Sequence, residues 1–209
     1  MLSLKDLNDA LTELGRRSHA QGKVVEIAIY GGSALMLASN FRITTQDVDA
    51  VADTDQGLVN RLAQEIGAER GWPQDWLNDG VRTYLSSNVE GLAQHHELFR
   101  TYPSEDAPGL RVFVPTPEYL LAMKLMALRL DPAAGKTDLS DILNLMEVVN
   151  IADKDQLNQF AAMFYPEVRV SGRRKLGLDI LWAARQTRSP SEPHAPRYLG
   201  RSGTTPKRR

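Results

Sequence analysis

Two aspartates separated by one residue, Asp47 and Asp49, are the side chains of this sequence best suited to holding a metal ion. Alternate residues of a β-strand point to the same face, so an extended segment would aim both carboxylates at one place. Their repulsion falls when a cation lies between them, and hard carboxylate oxygens suit Mg²⁺ or Mn²⁺. The alternative is an exposed strand end with two solvated acids, because the Asp-x-Asp tripeptide is common.

A second group that could do chemistry is Gly31-Gly32-Ser33, which follows the apolar segment VVEIAIY of residues 24–30. Two glycines between a strand and a helix let the backbone approach a phosphate, and the helix N-terminus favours negative charge. Ser33 adds a hydroxyl donor, although a tight turn with a serine N-cap is the simpler alternative. A triphosphate needs both a phosphate cradle and a metal, so the two groups together predict an NTP site.

Three charged residues in the second half of the chain form a further candidate group. Lys124 lies among leucines and methionines in EYLLAMKLMALR, where a charge costs desolvation unless it pairs or reaches water. Asp138 and Asp141 are three residues apart and therefore share a helix face. Without other information, Lys124 could extend to water at the edge of an apolar face, and the two acids could be solvated residues near a helix start.

The elements that must position these groups follow from hydrophobic periodicity and turn residues. Strands are predicted over 24–30, 47–52, 82–86, 98–102 and 110–114, and helices over 3–20, 33–39, 56–69, 117–130, 138–150, 153–164 and 172–186. Because strands come first and helices follow, the order predicts an α+β or α/β fold with a helical C-terminal half. We expect a core over 1–115, a helical region over 116–187, and a basic, disordered tail over 188–209.

Composition narrows the classes of function. The sequence has no cysteine, which excludes disulfides, thiolate metal sites and a cysteine nucleophile and fits a cytoplasmic location. The longest apolar stretch, residues 119–130, is interrupted by Lys124 and Arg129, so we expect no membrane span. The formal net charge is −1, but the basic residues concentrate towards the C-terminus, where they could contact a polyanion or simply be solvated.

The order of strand, G-G-S-A-L and R-x-x-T-x-D-V-D resembles the nucleotidyltransferase (polymerase-β-like) superfamily, whose signature is a GS element followed by D-x-D. Within it, the sequence is similar to the AbiEii/MenT-like toxins and related small bacterial nucleotidyltransferases of toxin–antitoxin systems. The matching elements are residues 31–35, residues 42–49, Lys124, and the KTDLSDI segment of residues 136–142. The resemblance covers residues 24–145 and implies a mixed sheet with flanking helices.

The resemblance also implies a role for each matching residue. It implies NTP contacts from Gly31, Gly32, Ser33, Arg42 and Lys124, one or two Mg²⁺ or Mn²⁺ ions on Asp47 and Asp49, and an active-site position for Asp138 or Asp141 as a lysine partner or a base. We favour Asp141, which lies deeper in its helix. The implied reaction transfers a nucleotide to the 3′ end of tRNA, as a toxin countered by an antitoxin protein.

Other acceptors and a non-catalytic role stay open. A protein side chain or a small molecule could accept the nucleotide at the same metal site. The later strand LRVFV carries Arg111 where many superfamily members have a third carboxylate, which favours a degenerate protein that binds a nucleotide or a partner. Two adjacent histidines, His95 and His96, are predicted to be exposed. Trp72 and Trp76 are predicted to fill the core, with a base-binding pocket as the alternative.

Overall fold

The computed structural model describes residues 1–127, 135–165 and 172–187. Contacts divide the chain into two compact units. The first unit holds Met1–Thr83 and Gly91–Thr116, and the second holds Tyr84–Glu90 with the described part of Pro117–Arg197. A mixed sheet with flanking helices precedes a helical C-terminal part, which confirms the predicted α+β class. The domain boundaries drawn from the sequence stay a prediction, and the predicted disordered tail lies outside the described residues.

The first unit carries every described strand. Its elements are β1 (Leu2–Ser3), α1 (Leu4–Ala20), β2 (Val25–Ile29), α2 (Gly31–Ala38), β3 (Thr44–Thr45), β4 (Val48–Ala52), α3 (Gln56–Arg70), β5 (Leu77–Asn78), β6 (His96–Pro103) and β7 (Pro108–Pro115). The five-strand sheet has the order β5-β4-β2-β7-β6, and β1 pairs separately with β3. Strand β2 is antiparallel to β4, with Ile29 opposite Ala50, and parallel to β7. The end of β2 therefore lies beside the start of β4.

Helix α1 begins at a capping box and packs through a leucine repeat. Ser3 and Asp6 form a capping box, in which the Ser3 hydroxyl accepts from the Asp6 N–H while the Asp6 carboxylate accepts from the Ser3 N–H. Leu7, Leu11 and Leu14 repeat at helical spacing and are fully buried. The helix contacts β6 and β7. Burial of this stripe fixes α1 on one face of the sheet and contributes about 1.5–3 kcal/mol for each leucine.

One predicted strand is wrong. Residues 82–86 were expected to be extended, but Gly80–Tyr84 forms a 3-10 helix. The side-chain oxygen of Asn78 accepts from the Gly80 N–H at 2.9 Å, and the Arg82 N–H donates to the Asp79 carbonyl at 2.9 Å. An asparagine that bonds the backbone two residues on stabilises a turn, and this local preference outweighs the weak alternation of residues 82–86.

Trp76, just before this turn, packs in the core. Trp76 is buried, and its indole N–H donates to the Ala63 carbonyl at 2.7 Å. Trp72 is half-buried and meets Trp76 edge-on, with the rings 5.1 Å apart. The predicted core role of Trp76 is confirmed. Its ring is buried and its N–H is bonded to a carbonyl of α3, so no surface is left to contact a nucleobase.

The second unit is helical. It contains α4 (Pro117–Met126), α5 (Gly135–Val148), α6 (Lys154–Phe164) and α7 (Gly172–Thr187). The rings of Tyr119 and Phe164 stack at 5.2 Å, and the Tyr119 hydroxyl accepts from the Ser86 N–H at 3.0 Å. These contacts tie α4, α6 and the 84–90 segment into one core. Within the described ranges, no helix has the length and apolarity needed to cross a bilayer.

A cluster of charged residues on α1 makes the stability of the fold depend on pH in the acid range. Hydrogen bonds from Arg16, and then from Arg17, lower the pKa of Glu13 from 4.5 to about 2 against the opposing effect of burial. A carboxyl whose folded pKa is depressed stabilises the fold above its unfolded pKa, and this stabilisation is lost as pH falls towards the folded value. Glu13 therefore contributes fully at pH 7 and progressively less below pH 4.5.

Glu13→Gln is expected to lower the free energy of unfolding by about 1 kcal/mol at pH 7, since Arg16 is exposed and solvent screens its ion pair with Glu13. The difference from wild type should narrow between pH 4.5 and pH 3. Urea unfolding at these pH values measures it, with the exposed Glu105→Gln as a matched control that should stay within about 0.5 kcal/mol of wild type. A Glu13→Gln deficit that is independent of pH would contradict the assignment.

Candidate functional site

The glycine turn, formed by Gly31 and Gly32, begins a helix rather than a loop. Strand β2 ends at Ile29, Tyr30 is the N-cap in extended conformation, and α2 starts at Gly31. No side chain caps this helix start. Ser33 is thus the third residue of α2, so the alternative of a serine N-cap is wrong. The first N–H groups of a helix have no intrahelical acceptor, so this turn presents donors suited to an anion.

The Ser33 hydroxyl faces back towards the turn. Ser33 is 1% exposed, and its Oγ donates to the Tyr30 carbonyl at 3.1 Å. The Ala34 N–H donates to the same carbonyl at 3.1 Å. These bonds hold the first turn of α2 closed. A phosphate contact from the Ser33 hydroxyl, as the sequence predicts, requires this hydroxyl to leave the Tyr30 carbonyl.

Two charged side chains lie against the two glycines. Gly31 has φ +63, and a Cβ built there would lie 2.7 Å from Oδ2 of Asp49. A Cβ on Gly32 would lie 2.8 Å from Nη1 of Arg42. The carboxylate and the guanidinium therefore occupy the space that side chains at these positions would need. Four predicted site residues, Gly31, Gly32, Arg42 and Asp49, are brought together at the end of β2.

Sheet pairing explains why Asp49 reaches the turn. The Tyr30 N–H donates to the Asp49 carbonyl at 2.8 Å, which continues the β2–β4 ladder by one residue pair beyond Ile29 and Ala50. Residues directly opposite in antiparallel strands point to the same face. Asp49, half-buried at this position, is thereby fixed next to the residue that precedes Gly31.

Asp47 lies outside the strand that was predicted to contain it. Strand β4 begins at Val48, and Asp47 is exposed in the preceding bend, where its carbonyl accepts from the Thr45 hydroxyl at 2.9 Å. Strand alternation therefore does not fix the direction of the Asp47 side chain relative to that of Asp49. A shared metal between the two carboxylates stays a prediction.

The donor set fits a hard divalent cation. Among the described residues, no three side chains of the types His, Asp and Glu group together to hold a metal. Two carboxylates suffice for Mg²⁺, which usually takes one or two protein carboxylates and completes its octahedron with water and substrate phosphates. Asp47 and Asp49 are the residues that would hold it.

No acid on β7 takes the place of a third carboxylate. Strand β7 has the sequence PGLRVFVP, and its Arg111 donates to Glu26 of β2 at 2.9 Å. Glu26 and Arg111 are directly paired in the parallel register of β2 and β7. The ion pair lies four residues before Tyr30 along β2, so it is remote from the glycine turn. Arg111 is therefore assigned to pairing within the sheet.

The three charged residues of the second unit form one cluster. Nζ of Lys124 on α4 lies 3.0 Å from Oδ1 of Asp138 and 2.9 Å from Oδ2 of Asp141, both on α5. The exposed side-chain fractions are 10% for Lys124, 3% for Asp141 and 37% for Asp138. Lys124 is thus paired in the interior rather than extended to water, and the alternative that Asp141 is a solvated acid is wrong.

The cluster constrains what Lys124 can do. Two carboxylates surround one ammonium, so its charge is already compensated, and desolvation makes breaking either contact costly. A phosphate contact requires Lys124 to exchange one of these partners, and the more exposed Asp138 is the one that water can solvate. The predicted role of Lys124 towards NTP stays a prediction, whereas its pairing with both acids is a contact of this structure.

Sequence reasoning missed one pair at the turn. His95 is exposed as predicted, but His96 is half-buried, so the prediction for His96 is wrong. The Tyr30 hydroxyl lies 3.0 Å from Nε2 of His96, and the two rings meet edge-on at 5.6 Å. The signal available in the sequence was strand alternation, which puts His96 on the same face as Leu98 if β6 is extended by two residues.

The family comparison agrees with this geometry. A family model described as "Nucleotidyltransferase of unknown function (DUF6036)" matches residues 3–177, which is most of the chain. The chain belongs to this nucleotidyltransferase family. No curated protein and no solved structure matches the chain. The matched range includes the glycine turn, Arg42 and Asp49 of the first unit, and the Lys124 cluster of the second.

In a nucleotidyltransferase, the left-handed conformation of Gly31 should matter for activity as well as for stability. Gly31→Ala is expected to lower the free energy of unfolding by about 1–2 kcal/mol through its backbone conformation. It should also reduce nucleotide transfer, because the added Cβ displaces the Asp49 carboxylate. Transfer assays and urea unfolding on the same preparations measure both effects.

Gly22→Ala is the matched control for this change. Gly22 has φ +67 with nothing within 4 Å of an added Cβ, so it carries the same backbone cost without a neighbour to displace. We expect Gly22→Ala to lose comparable stability and to keep full transfer activity. Equal loss of activity in both variants would show that Gly31 acts through stability alone.

Proposed function

We propose that this protein transfers a nucleotide from an NTP to an acceptor hydroxyl in a Mg²⁺-dependent reaction that releases pyrophosphate. The observation that carries the proposal is the placement of Asp49 and Arg42 against the successive glycines at the start of α2. A metal-binding carboxylate, a phosphate-binding guanidinium and the N-terminus of a helix then share one edge of the sheet. Each of these groups recognises part of a metal–triphosphate substrate.

In this proposal, one set of residues binds the phosphates and another binds the metal ion. The backbone of Gly31 and Gly32 and the start of α2 bind phosphate oxygens, with Ser33 as a further donor once its hydroxyl turns outward. The planar fork of Arg42 suits two oxygens of one phosphate. Asp47 and Asp49 would hold Mg²⁺, which when bound supplies Lewis-acid polarisation of the α-phosphate.

The transfer step is an in-line displacement at the α-phosphorus. A bond forms between the acceptor oxygen and the α-phosphorus while the bond to the oxygen bridging to the β-phosphate breaks. The bridging electron pair leaves with pyrophosphate, and the acceptor proton passes to a base. The motif resemblance keeps Lys124, Asp138 and Asp141 in the proposal as catalytic residues, with the two ion pairs supporting the role of lysine partner.

The finer part of the proposal concerns the acceptor. The resemblance to the AbiEii/MenT-like proteins favours the 3′ end of tRNA, a toxin role and a cognate antitoxin protein as partner. A hydroxyl on a protein or a small molecule would use the same phosphate-binding and metal-binding groups. The acceptor must therefore be identified by experiment.

A label-transfer assay tests the chemistry and the acceptor together. Each α-³²P NTP is incubated with the protein, Mg²⁺ and, in separate reactions, tRNA, cellular protein or small-molecule extracts. We expect label in tRNA, loss of transfer with excess EDTA, and no transfer from γ-³²P NTP. Label in protein or small molecules would keep the reaction and replace the acceptor, whereas NTP binding without transfer to any of the three would overturn the proposed activity.

A further inference from the structure

Tyr30, the residue between β2 and α2, connects Asp49 with the start of α2 through its main chain. Tyr30 donates its N–H to the Asp49 carbonyl at 2.8 Å and accepts from the Ser33 hydroxyl at 3.1 Å. It is the N-cap of α2 and immediately precedes Gly31, and the residue as a whole is only 2% exposed. A shift of Tyr30 would therefore move the glycine turn relative to Asp49. Contacts that fix the Tyr30 side chain therefore also fix the position of the glycine turn relative to Asp49.

The Tyr30 side chain is held by a histidine from β6. His96 is the first residue of that strand, and its Nδ1 lies 2.8 Å from the Gln94 carbonyl oxygen. A carbonyl oxygen can only accept, so Nδ1 carries the hydrogen. In the neutral ring, Nε2 is then the acceptor, and the Tyr30 hydroxyl donates to it across 3.0 Å. The edge-on contact of the rings adds a fixed orientation.

The surroundings of His96 favour its neutral form. Burial lowers the pKa of His96 from 6.5, and the neighbouring His95 lowers it further, against opposing effects of the Gln94 carbonyl and Asp53. The residue opposite His96 on β7 is Pro115, which brings no charge. Protonation would place a hydrogen on Nε2 and reverse this bond, so the Tyr30 oxygen would accept and the Tyr30 O–H would turn away from the ring and lose its acceptor.

We infer that His96 is a positioning residue for nucleotide transfer, acting through the Tyr30 hydroxyl to hold the glycine turn in register with Asp49. The inference deepens the proposed function and rests on it. His96 does not need to touch substrate, because its effect reaches the site through the main chain of Tyr30. Its contribution should therefore appear in the binding and transfer constants and not in the identity of the acceptor.

Three variants separate hydrogen bonding from packing. Tyr30→Phe removes the hydroxyl and His96→Phe removes the acceptor, and both keep an aromatic ring. His96→Gln keeps an amide oxygen that can accept from Tyr30 but cannot titrate. We expect the two Phe variants to lower kcat/KM for NTP about five- to tenfold, as for one lost hydrogen bond, and His96→Gln to retain most of the wild-type value.

The pH profile is the readout that a purely structural role would not move. Wild type should lose kcat/KM on the acid side below pH 6.5 in a step that is missing from His96→Gln. In parallel, ¹⁵N NMR of His96 should show the hydrogen on Nδ1 in the wild type. Thermal melts of each variant show how much of any loss comes from unfolding.

Several outcomes would overturn the inference alone. These are an Nε2–H tautomer at His96, an acid step that persists in His96→Gln, or Phe variants with reduced melting temperature but unchanged kcat, KM and pH profile. If the wild type transfers no nucleotide to any acceptor, the proposed function fails and takes the inference with it, whatever the NMR spectrum shows. Transfer by wild type is thus the control that tells the two failures apart.

Discussion

Asp49→Asn is expected to lower the rate of nucleotide transfer at least about 100-fold while the fold is kept. The change removes one negative charge with almost no change in shape, at the carboxylate that lies against Gly31. Metal-assisted charge stabilisation contributes several kcal/mol to a transition state, and each 1.36 kcal/mol corresponds to a factor of ten in rate. Initial rates of α-³²P NTP transfer, measured over a range of Mg²⁺ concentrations, test this.

The Mg²⁺ range distinguishes a weakened metal site from a lost one. If Asp49 is a ligand, the variant should need more Mg²⁺ for its residual activity. Asp53→Asn is the matched control, since Asp53 follows β4 directly, is exposed and carries the same charge. It should transfer at the wild-type rate within about twofold, as expected for a surface charge change. Asp49→Asn with wild-type activity would remove the metal-site assignment.

Lys124→Met is expected to lower the free energy of unfolding of the second unit by about 3–5 kcal/mol. Asp141 is 3% exposed at its side chain and lies 2.9 Å from the Lys124 ammonium. Without that cation, a buried carboxylate loses its ion pair and faces a second carboxylate at Asp138, and removing one partner of a buried pair typically has this cost. Urea unfolding and amide hydrogen exchange in α4 and α5 measure the loss.

Two further variants test whether burial is the cause. Asp138→Asn changes the partner that is 37% exposed, so we expect a loss of about 1 kcal/mol or less. The double variant Lys124→Met with Asp141→Leu replaces the buried pair by apolar side chains, and it should recover much of the stability of Lys124→Met. Equal losses in Lys124→Met and Asp138→Asn, or no recovery in the double variant, would contradict a buried ion pair.

These two predictions concern different properties of the same family fold. Asp49 is expected to matter for chemistry more than for stability, because it lies half-buried at a turn that presents helix N–H groups. Lys124 is expected to matter for stability at least as much as for chemistry, because both of its acidic partners come from the adjacent helix. Assaying both variants for transfer and for unfolding would show whether Asp49 and Lys124 differ in this way.

Several features were readable from the sequence because their causes are local. The capping box of Ser3 and Asp6, the leucine repeat of α1 and the apolar run of β2 each depend on residues within a few positions of one another. The same holds for the glycine turn and for the closely spaced aspartates. Such spacing led to the nucleotidyltransferase motifs, and the family match bears out that part of the interpretation.

Other features depended on which strands and helices become neighbours. The sheet order β5-β4-β2-β7-β6 brings Asp49 to Gly31 and pairs Arg111 with Glu26. The strand predicted at 82–86 does not form, because the side chain of Asn78 stabilises a turn there. His96 changed from an expected surface residue to the partner of Tyr30 because β6 starts two residues earlier than its hydrophobic pattern suggests.

By itself, the sequence determined the class of fold, the main helices, the longer strands and the residues that could bind a metal–triphosphate. Only the tertiary structure decided which of them meet: the carboxylate of Asp49 at the glycine turn, both acids around Lys124, and the histidine behind Tyr30. The physical reason is range. Caps, turns and periodicity act over a few residues, whereas burial, pairing and desolvation depend on contacts between residues that lie far apart along the chain.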